Sequence, residues 1–229
     1  MDVFAIAVKP QIAFDEAYGA AGVAAFEATL SYARARGLVR ITDAKRGDGG
    51  DTAEAYADGH LGEVPFWGTE DGQSLKKIAS PIRSDALTVQ PWIAEACFKP
   101  FLRAIKEHGT GVFVVDKTSF KPNSRIEQTR TESGRTNWET LAELVQELGV
   151  GTEGQYGYRN FGVVMGATYP SDAPTMRHIL PNSWFLIPGY GAQGGGADDA
   201  VAGINEDGLG GVVNSARAVI YAYLKGKFQ

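Results

Sequence analysis

Short apolar runs recur along the chain, each separated from the next by room for one helix. They fall at residues 3–8, 38–41, 86–89, 111–115, 161–165, 184–187 and 211–213. Each run is continuous rather than alternating, as a strand covered on both faces requires. The first ends at Lys9-Pro10, where proline stops it. Between the runs, apolar positions follow helical spacing over 16–36 (stopped by Gly37), 52–60, 94–108, 137–148, 173–180, 198–205 and 215–225. Asp51 is the expected N-cap of the 52–60 helix. Strand–helix alternation of this kind predicts an α/β fold with a parallel sheet.

Both an open doubly wound sheet and a (β/α)8 TIM barrel satisfy that alternation. The polar residues decide between them. Lys9, the group around Asp43, Thr118-Ser119, Gln193 and Arg217 all stand just after strands, positions that converge on one rim in a barrel. A single barrel domain over 1–229 is therefore expected. Its first β/α unit is missing and is expected ahead of Met1, the chain reading as a fragment, as trimmed, or as given without disordered segments. Residues 63–83 break the pattern, with Pro65, Trp67, Gly68, Gly72 and Pro81 around 74–78. They read as an irregular loop insertion carrying one short helix.

Composition narrows the function classes. The chain has 229 residues, 44% of them hydrophobic, enough for one good core. A net charge of −5 argues against a nucleic-acid partner. No apolar run approaches the ~20 residues of a membrane helix, and Met1-Asp2-Val3-Phe4 has no basic leader. The lone cysteine, Cys97, excludes an intrachain disulfide, suits a reducing cytoplasm and reads as a core residue rather than a nucleophile. His60, His108 and His178 lie far apart, make no metal spacing, and are each expected at the surface.

Three stretches carry chemistry. In residues 41–52 an acid, a base and an acid (Asp43, Lys45, Asp48) follow a strand, with a glycine turn before Thr52. Residues two apart on an extended chain point to one side, which would bring Asp43 and Lys45 together. Uncompensated buried charge is costly, so surplus charge at a strand end points to function. On these residues alone a surface ion-pair cluster fits as well. Residues 187–195 form a glycine-rich loop after a strand, where backbone N–H groups can close on an anion. Arg217 stands at the start of the last helix, and Ser119 in a turn after the fourth run.

The pattern Asp-x-Lys-x-x-Asp-x-Gly-x-Thr, filled by Asp43, Lys45, Asp48, Gly50 and Thr52, resembles the orotidine 5′-phosphate decarboxylase family. Asp-Ala-Lys-Arg-Gly-Asp resembles its longer, mostly bacterial branch. Residues 8–14 resemble the family's second-strand phrase, and Pro-Gly-x-Gly-Ala-Gln-Gly-Gly at 188–195 resembles its phosphate loop. The resemblance runs from Val3 to Tyr223. It implies decarboxylation of orotidine 5′-phosphate to UMP, the last step of pyrimidine nucleotide synthesis, with no metal and no cofactor. It implies that Lys45 donates the proton to C6, that Asp43 lies beside the substrate carboxylate, and that Lys9 orients Asp43 and reaches a ribose hydroxyl. Asp48 and Thr52 are implied to contact ribose in a partner subunit's site, which makes a homodimer with shared sites. Ser119 is implied to bind the pyrimidine. Pro188, Gln193 and Gly194 belong to the implied substrate-binding loop, with Gln193 and Arg217 on the phosphate.

Two departures stand out. Phe120-Lys121-Pro122-Asn123 replaces the family's Asn-Pro-Gly after the serine, and the first-strand aspartate that binds ribose has no counterpart here. Gln128 matches a family glutamine with no assigned role. The nearest alternative is a Mg²⁺-dependent sugar-phosphate decarboxylase or synthase of the same superfamily. Those enzymes need a glutamate where this chain has Lys9, and an ammonium repels Mg²⁺. A non-catalytic nucleotide-binding barrel is the alternative of a different class.

Overall fold

A computed structural model describes residues 5–67 and 75–225. The chain divides into two compact units, Met1–Val112 and Phe113–Gln229.

The first unit is built on parallel strands β1 (Ala7–Val8), β2 (Val39–Arg46) and β5 (Ala86–Val89), in that order. Helices α1 (Ile12–Glu16) and α2 (Gly19–Ala35) connect β1 to β2. Ile12, Phe26 and Leu30 form a buried cluster on which Ala44 of β2 packs, so the helices hold the strand segment that carries Asp43 and Lys45. The α2 residues of that cluster lie four apart, on one face. Arg40, near the start of β2, grips Asp85 with Nε and Nη2 at 3.0 and 2.7 Å and fixes β2 against the start of β5. Helix α3 (Gly50–Leu61) packs on α4 (Glu95–His108). The contact buries Ala53, Ala57 and Leu61 against a face that includes Phe98, Phe101 and Ile105. Arg103 of α4 adds ion pairs to Glu54 and Asp58 of α3.

The second unit takes in most of β6 (Gly111–Lys117), then β7 (Arg159–Met165), β8 (Ser183–Ile187) and β9 (Gly211–Val213), again adjacent in chain order. The pairs β7–β8 and β8–β9 are parallel. Helices α5 (Arg125–Gln128) and α6 (Asn137–Leu148) follow β6. Helices α7 (Ala173–Ile179), α8 (Ala197–Val201) and α9 (Arg217–Ile220) follow β7, β8 and β9. Thr136 and Glu139 close a reciprocal capping box on α6, which therefore starts where the pattern places it. Arg177 of α7 donates to the carbonyls of Leu180, Ser183, Gly203 and Gly210, stapling the α7–β8 and α8–β9 connections of this unit.

Each of the seven apolar runs contains a strand, although in the first only Ala7–Val8 is one and residues 3 and 4 lie outside the described residues. Three expectations fail. Residues 63–83 are not a loop with a helix: β3 (Glu63–Trp67) and β4 (Leu75–Ala79) form an antiparallel pair, with Pro65 opposite Lys77. The N-cap of α3 is Gly49 rather than Asp51, which sits in the first turn, where its charge meets the helix dipole. His60 is buried at 3% exposure instead of lying at the surface. Burial and the nearby Arg46 push its pKa down to about 4, so it is neutral inside the unit.

Candidate active site

The bend in β2 creates the first half of the chemistry. Thr42 pairs with Leu87 and Arg46 with Val89, so four steps along β2 match two along β5. The surplus is a bulge, a device that re-aims side chains at strand ends. Asp43, Ala44 and Lys45 occupy it. Asp43 and Lys45 do meet, but not because the chain between them is extended. Lys45 has φ +47°, in the left-handed region that non-glycine residues avoid.

The Asp43 carboxylate is the hub. Lys9 Nζ donates to its Oδ2 at 2.7 Å, and Lys45 Nζ to its Oδ1 at 2.5 Å. Thr88 Oγ1 also donates to Oδ1, at 2.9 Å. The segment bearing Lys9 is held to β2 by the Asp43 amide, which donates to the Pro10 carbonyl at 3.0 Å. Burial by itself raises the Asp43 pKa. The Lys9 charge and the hydrogen bonds from Lys45 and Lys9 outweigh it and hold the carboxyl below its ordinary 3.8. The Lys9 side chain is 14% exposed and that of Lys45 is 40% exposed, so Lys45 carries the ammonium a ligand can reach.

Asp48 does not join this trio. It is exposed, and its Oδ1 accepts from the Gly49 amide at 2.7 Å. Thr52, on α3, is exposed as well. Cys97 is buried, its Sγ lies 3.6 Å from the Gln90 carbonyl, and burial raises its thiol pKa; it is a core residue, as expected.

The second unit carries the other expected ligands. Ser119 is buried after β6, and its Oγ donates to Gln193 Oε1 at 3.0 Å. Gly166 makes this possible, because a Cβ there would lie 2.6 Å from the Ser119 nitrogen. The loop after β8 turns on left-handed glycines at 189, 191 and 194. Several of its amides are occupied within the loop: Gly194 donates to the Gly191 carbonyl at 2.9 Å and Gly195 to that of Gly189 at 3.0 Å. The Pro188 carbonyl accepts from the Ala167 amide at 2.8 Å. The amides of Ala192 and Gln193 have no partner among the described residues, so the tip rather than the whole loop is open to an anion. Arg217 opens α9 with its side chain exposed. That helix is only four residues long, so its dipole adds little to the charge of the guanidinium.

One cluster was not anticipated. Lys117 is fully buried; its Nζ donates to Asn123 Oδ1 at 2.5 Å and lies 3.4 Å from Asp172 and 3.6 Å from Glu127. The ring of Tyr169 covers the same ammonium at 4.3 Å. Glu127 Oε1 accepts from Thr118 Oγ1 at 2.7 Å, so this buried charge set steadies the residue before Ser119. Asn123, part of the divergent 120–123 stretch, is thus a ligand of Lys117. Neighbouring Asp116 is buried with both oxygens unpartnered, and burial followed by the Glu127 charge keeps its carboxyl protonated well above the usual range.

Comparison with known proteins identifies the family. A family model described as orotidine 5′-phosphate decarboxylase / HUMPS family matches residues 2–226. An orotidine 5′-phosphate decarboxylase of Rhodopirellula baltica is 41% identical over 221 residues, covering 96% of this chain and 69% of that protein. A crystal structure from Streptomyces avermitilis superposes with a TM-score of 0.78 at 32% identity, over 96% of this chain and 70% of that one. The OMP decarboxylase of Leishmania donovani gives a TM-score of 0.74 at 30% identity, over 94% and 73%. These likenesses bear out the α/β class and the barrel reading of the alternation.

Proposed function

From the premise that this chain belongs to the orotidine 5′-phosphate decarboxylase / HUMPS family, we infer that it is a carboxy-lyase converting orotidine 5′-phosphate to UMP. The family description spans more than one activity, and the observation that carries the choice is the Lys9–Asp43–Lys45 trio. A Mg²⁺-dependent relative needs a carboxylate where Lys9 stands, and an ammonium in that place repels the ion.

The trio matches the demands of the reaction. Breaking the bond from C6 to the carboxylate releases CO₂ and leaves its electron pair on an sp² carbon with no electron sink beside it. The Lys45 ammonium stabilises that pair and then gives it a proton, forming the C6–H bond of UMP; solvent restores the proton to Lys45. Asp43, ionised and held between two lysines, repels the substrate carboxylate more than the dispersed charge of the transition state. At ~4 Å and an effective dielectric near 20, each such pair is worth about 4 kcal/mol. Lys9 fixes Asp43 and is assigned to a ribose hydroxyl. Ser119 is assigned to the pyrimidine, and Gln193, the Ala192–Gln193 amides and Arg217 to the phosphate. Pro188 and Gly194 shape that loop.

Asp48 and Thr52 are assigned to the ribose in the active site of a second copy, so the enzyme works as a homodimer with shared sites. Their exposure, outside the trio, supports this reading. One family match over residues 2–226 supports treating the chain as a single domain. The cytoplasm is the proposed location; among the described residues no helix is long and apolar enough to cross a membrane.

The purified chain is expected to convert orotidine 5′-phosphate to UMP at the same rate before and after treatment with EDTA. Activity lost to the chelator and restored by Mg²⁺ would overturn the assignment.

A further inference from the structure

Thr88 lies in β5, in a strand whose four residues are all buried. It is 1% exposed, and an apolar side chain would suit such a place as well. Instead its hydroxyl makes two hydrogen bonds. Oγ1 donates to Asp43 Oδ1 at 2.9 Å and accepts from the Lys45 amide at 3.0 Å. The direction of both is fixed by the partners: an ionised carboxylate only accepts, and an amide N–H only donates. The hydroxyl proton therefore points at Asp43 and the lone pair at Lys45.

Oδ1 is also the oxygen that takes the Lys45 ammonium at 2.5 Å. Thr88, Asp43 and Lys45 thus close a ring: hydroxyl to carboxylate, ammonium to the same oxygen, and the amide of that lysine back to the hydroxyl. The ring stands where the backbone most needs support. The bulge takes the Lys45 amide out of the β2–β5 ladder, and the residue sits at φ +47°. A strained residue keeps such a conformation only when its surroundings over-determine it. Thr88, projecting from the neighbouring strand, supplies the acceptor that the lost register removed.

We propose that Thr88 is a positioning residue: its hydroxyl holds the left-handed Lys45 backbone and the Asp43 carboxylate in the one arrangement that presents the Lys45 ammonium for proton transfer. The proposal rests on the assignment of Lys45 as proton donor. It makes β5 a participant in catalysis, through a side chain that touches no substrate.

The test compares Thr88→Val, which keeps the shape and loses the hydroxyl, with Thr88→Ser, which keeps the hydroxyl. A buried amide left without its acceptor and a carboxylate one donor short should lower kcat of Thr88→Val by at least about tenfold. KM should change little, and the acid limb of the pH–rate profile should move to higher pH. Thr88→Ser is expected to stay within about threefold of wild type, since it keeps both hydrogen bonds and loses one methyl group. A purely structural role would lower the melting temperature and leave kcat and the pH profile in place. Wild-type kcat in Thr88→Val, or equal losses in both variants, overturns the proposal. Crystal structures of wild type and both variants give a reading independent of turnover. Lys45 is expected to leave the left-handed region, or its ammonium to leave Asp43 Oδ1, in Thr88→Val and not in Thr88→Ser. Unchanged geometry in Thr88→Val overturns the proposal whatever the rates. An inactive wild-type protein would instead refute the assigned reaction. Should Thr88→Val not fold, Thr88→Ala takes its place under the same criteria.

Discussion

Arg217 is exposed, and its guanidinium has no side-chain partner among the described residues, so it can meet a ligand without first breaking a bond. A charge-assisted grip on phosphate is worth roughly 1.5–3 kcal/mol, or about ten- to a hundredfold in kcat/KM. Arg217→Ala should show that loss on orotidine 5′-phosphate and scarcely any on orotidine; equal losses on both would remove Arg217 from the phosphate. At this scale the sequence was most readable where charge had no structural excuse. Asp43 and Lys45 stand out in a strand, and the glycine-rich phrase marks the loop that carries Gln193. What escaped was polar chemistry in ordinary dress. Thr88 is a good strand former in an apolar run, and only its polarity among Ala86, Leu87 and Val89 hinted at more. Lys117 carried no signal of its own, because the three residues around its charge, Asn123, Glu127 and Asp172, are scattered in sequence. Nothing in a lysine announces a left-handed φ, since that conformation is enforced by the bulge around it.

Among the elements, α3 carries the most testable consequence. Its His60 is neutral in the folded chain, with Nδ1 buried and unpartnered. The unfolded chain binds a proton at about 6.5 and the folded one only at about 4. Between those values the unfolded state holds more protons, so stability rises with pH and is lost as pH falls from 6.5 towards 4. The window is worth about 3 kcal/mol at 1.36 kcal/mol per unit. Asp43, whose depressed pKa keeps its contribution intact until pH falls below 3.8, lies outside it. Asp116, held protonated in the folded chain, pulls the other way over the same range, so the variant carries the test. From pH 7 to pH 4.5 the urea midpoint of His60→Gln should fall less than that of wild type, or rise; an equal change in both would place the acid sensitivity elsewhere. Helix interiors were legible from their spacing, as in α6, whereas the one cap named from the sequence, Asp51 of α3, lies two residues past the true cap, Gly49. Strand ends were less so. The second apolar run marks only the start of β2, which continues through the charged motif to Arg46 because β5 pairs with it on both sides of the bulge and the α1–α2 cluster packs on Ala44.

For the whole molecule, the assignment of Asp48 and Thr52 to a neighbouring copy makes a sharp prediction. Lys45→Ala and Asp48→Asn should each be nearly inactive. Co-refolded in equal amounts, they should recover about one quarter of wild-type activity, because half of the dimers are mixed and each mixed dimer has one site free of both lesions. A fully active monomer, or no recovery despite proven subunit exchange, would end the shared-site reading. The class of fold was legible from alternation alone, and the choice of a barrel from where the polar residues fell. The β3–β4 ribbon was not, and its composition explains why. Two strands leave two outer edges, and Phe66 and Ile78 are exposed on them at 49% and 38%. Such a ribbon invites an extended segment of another chain to pair with it, the first step towards aggregation. Pro65 withholds a donor from β3, and Lys76 and Lys77 set positive charge along β4. Pro65, one of the residues that make this segment read as a loop, is thus also one that guards its edge.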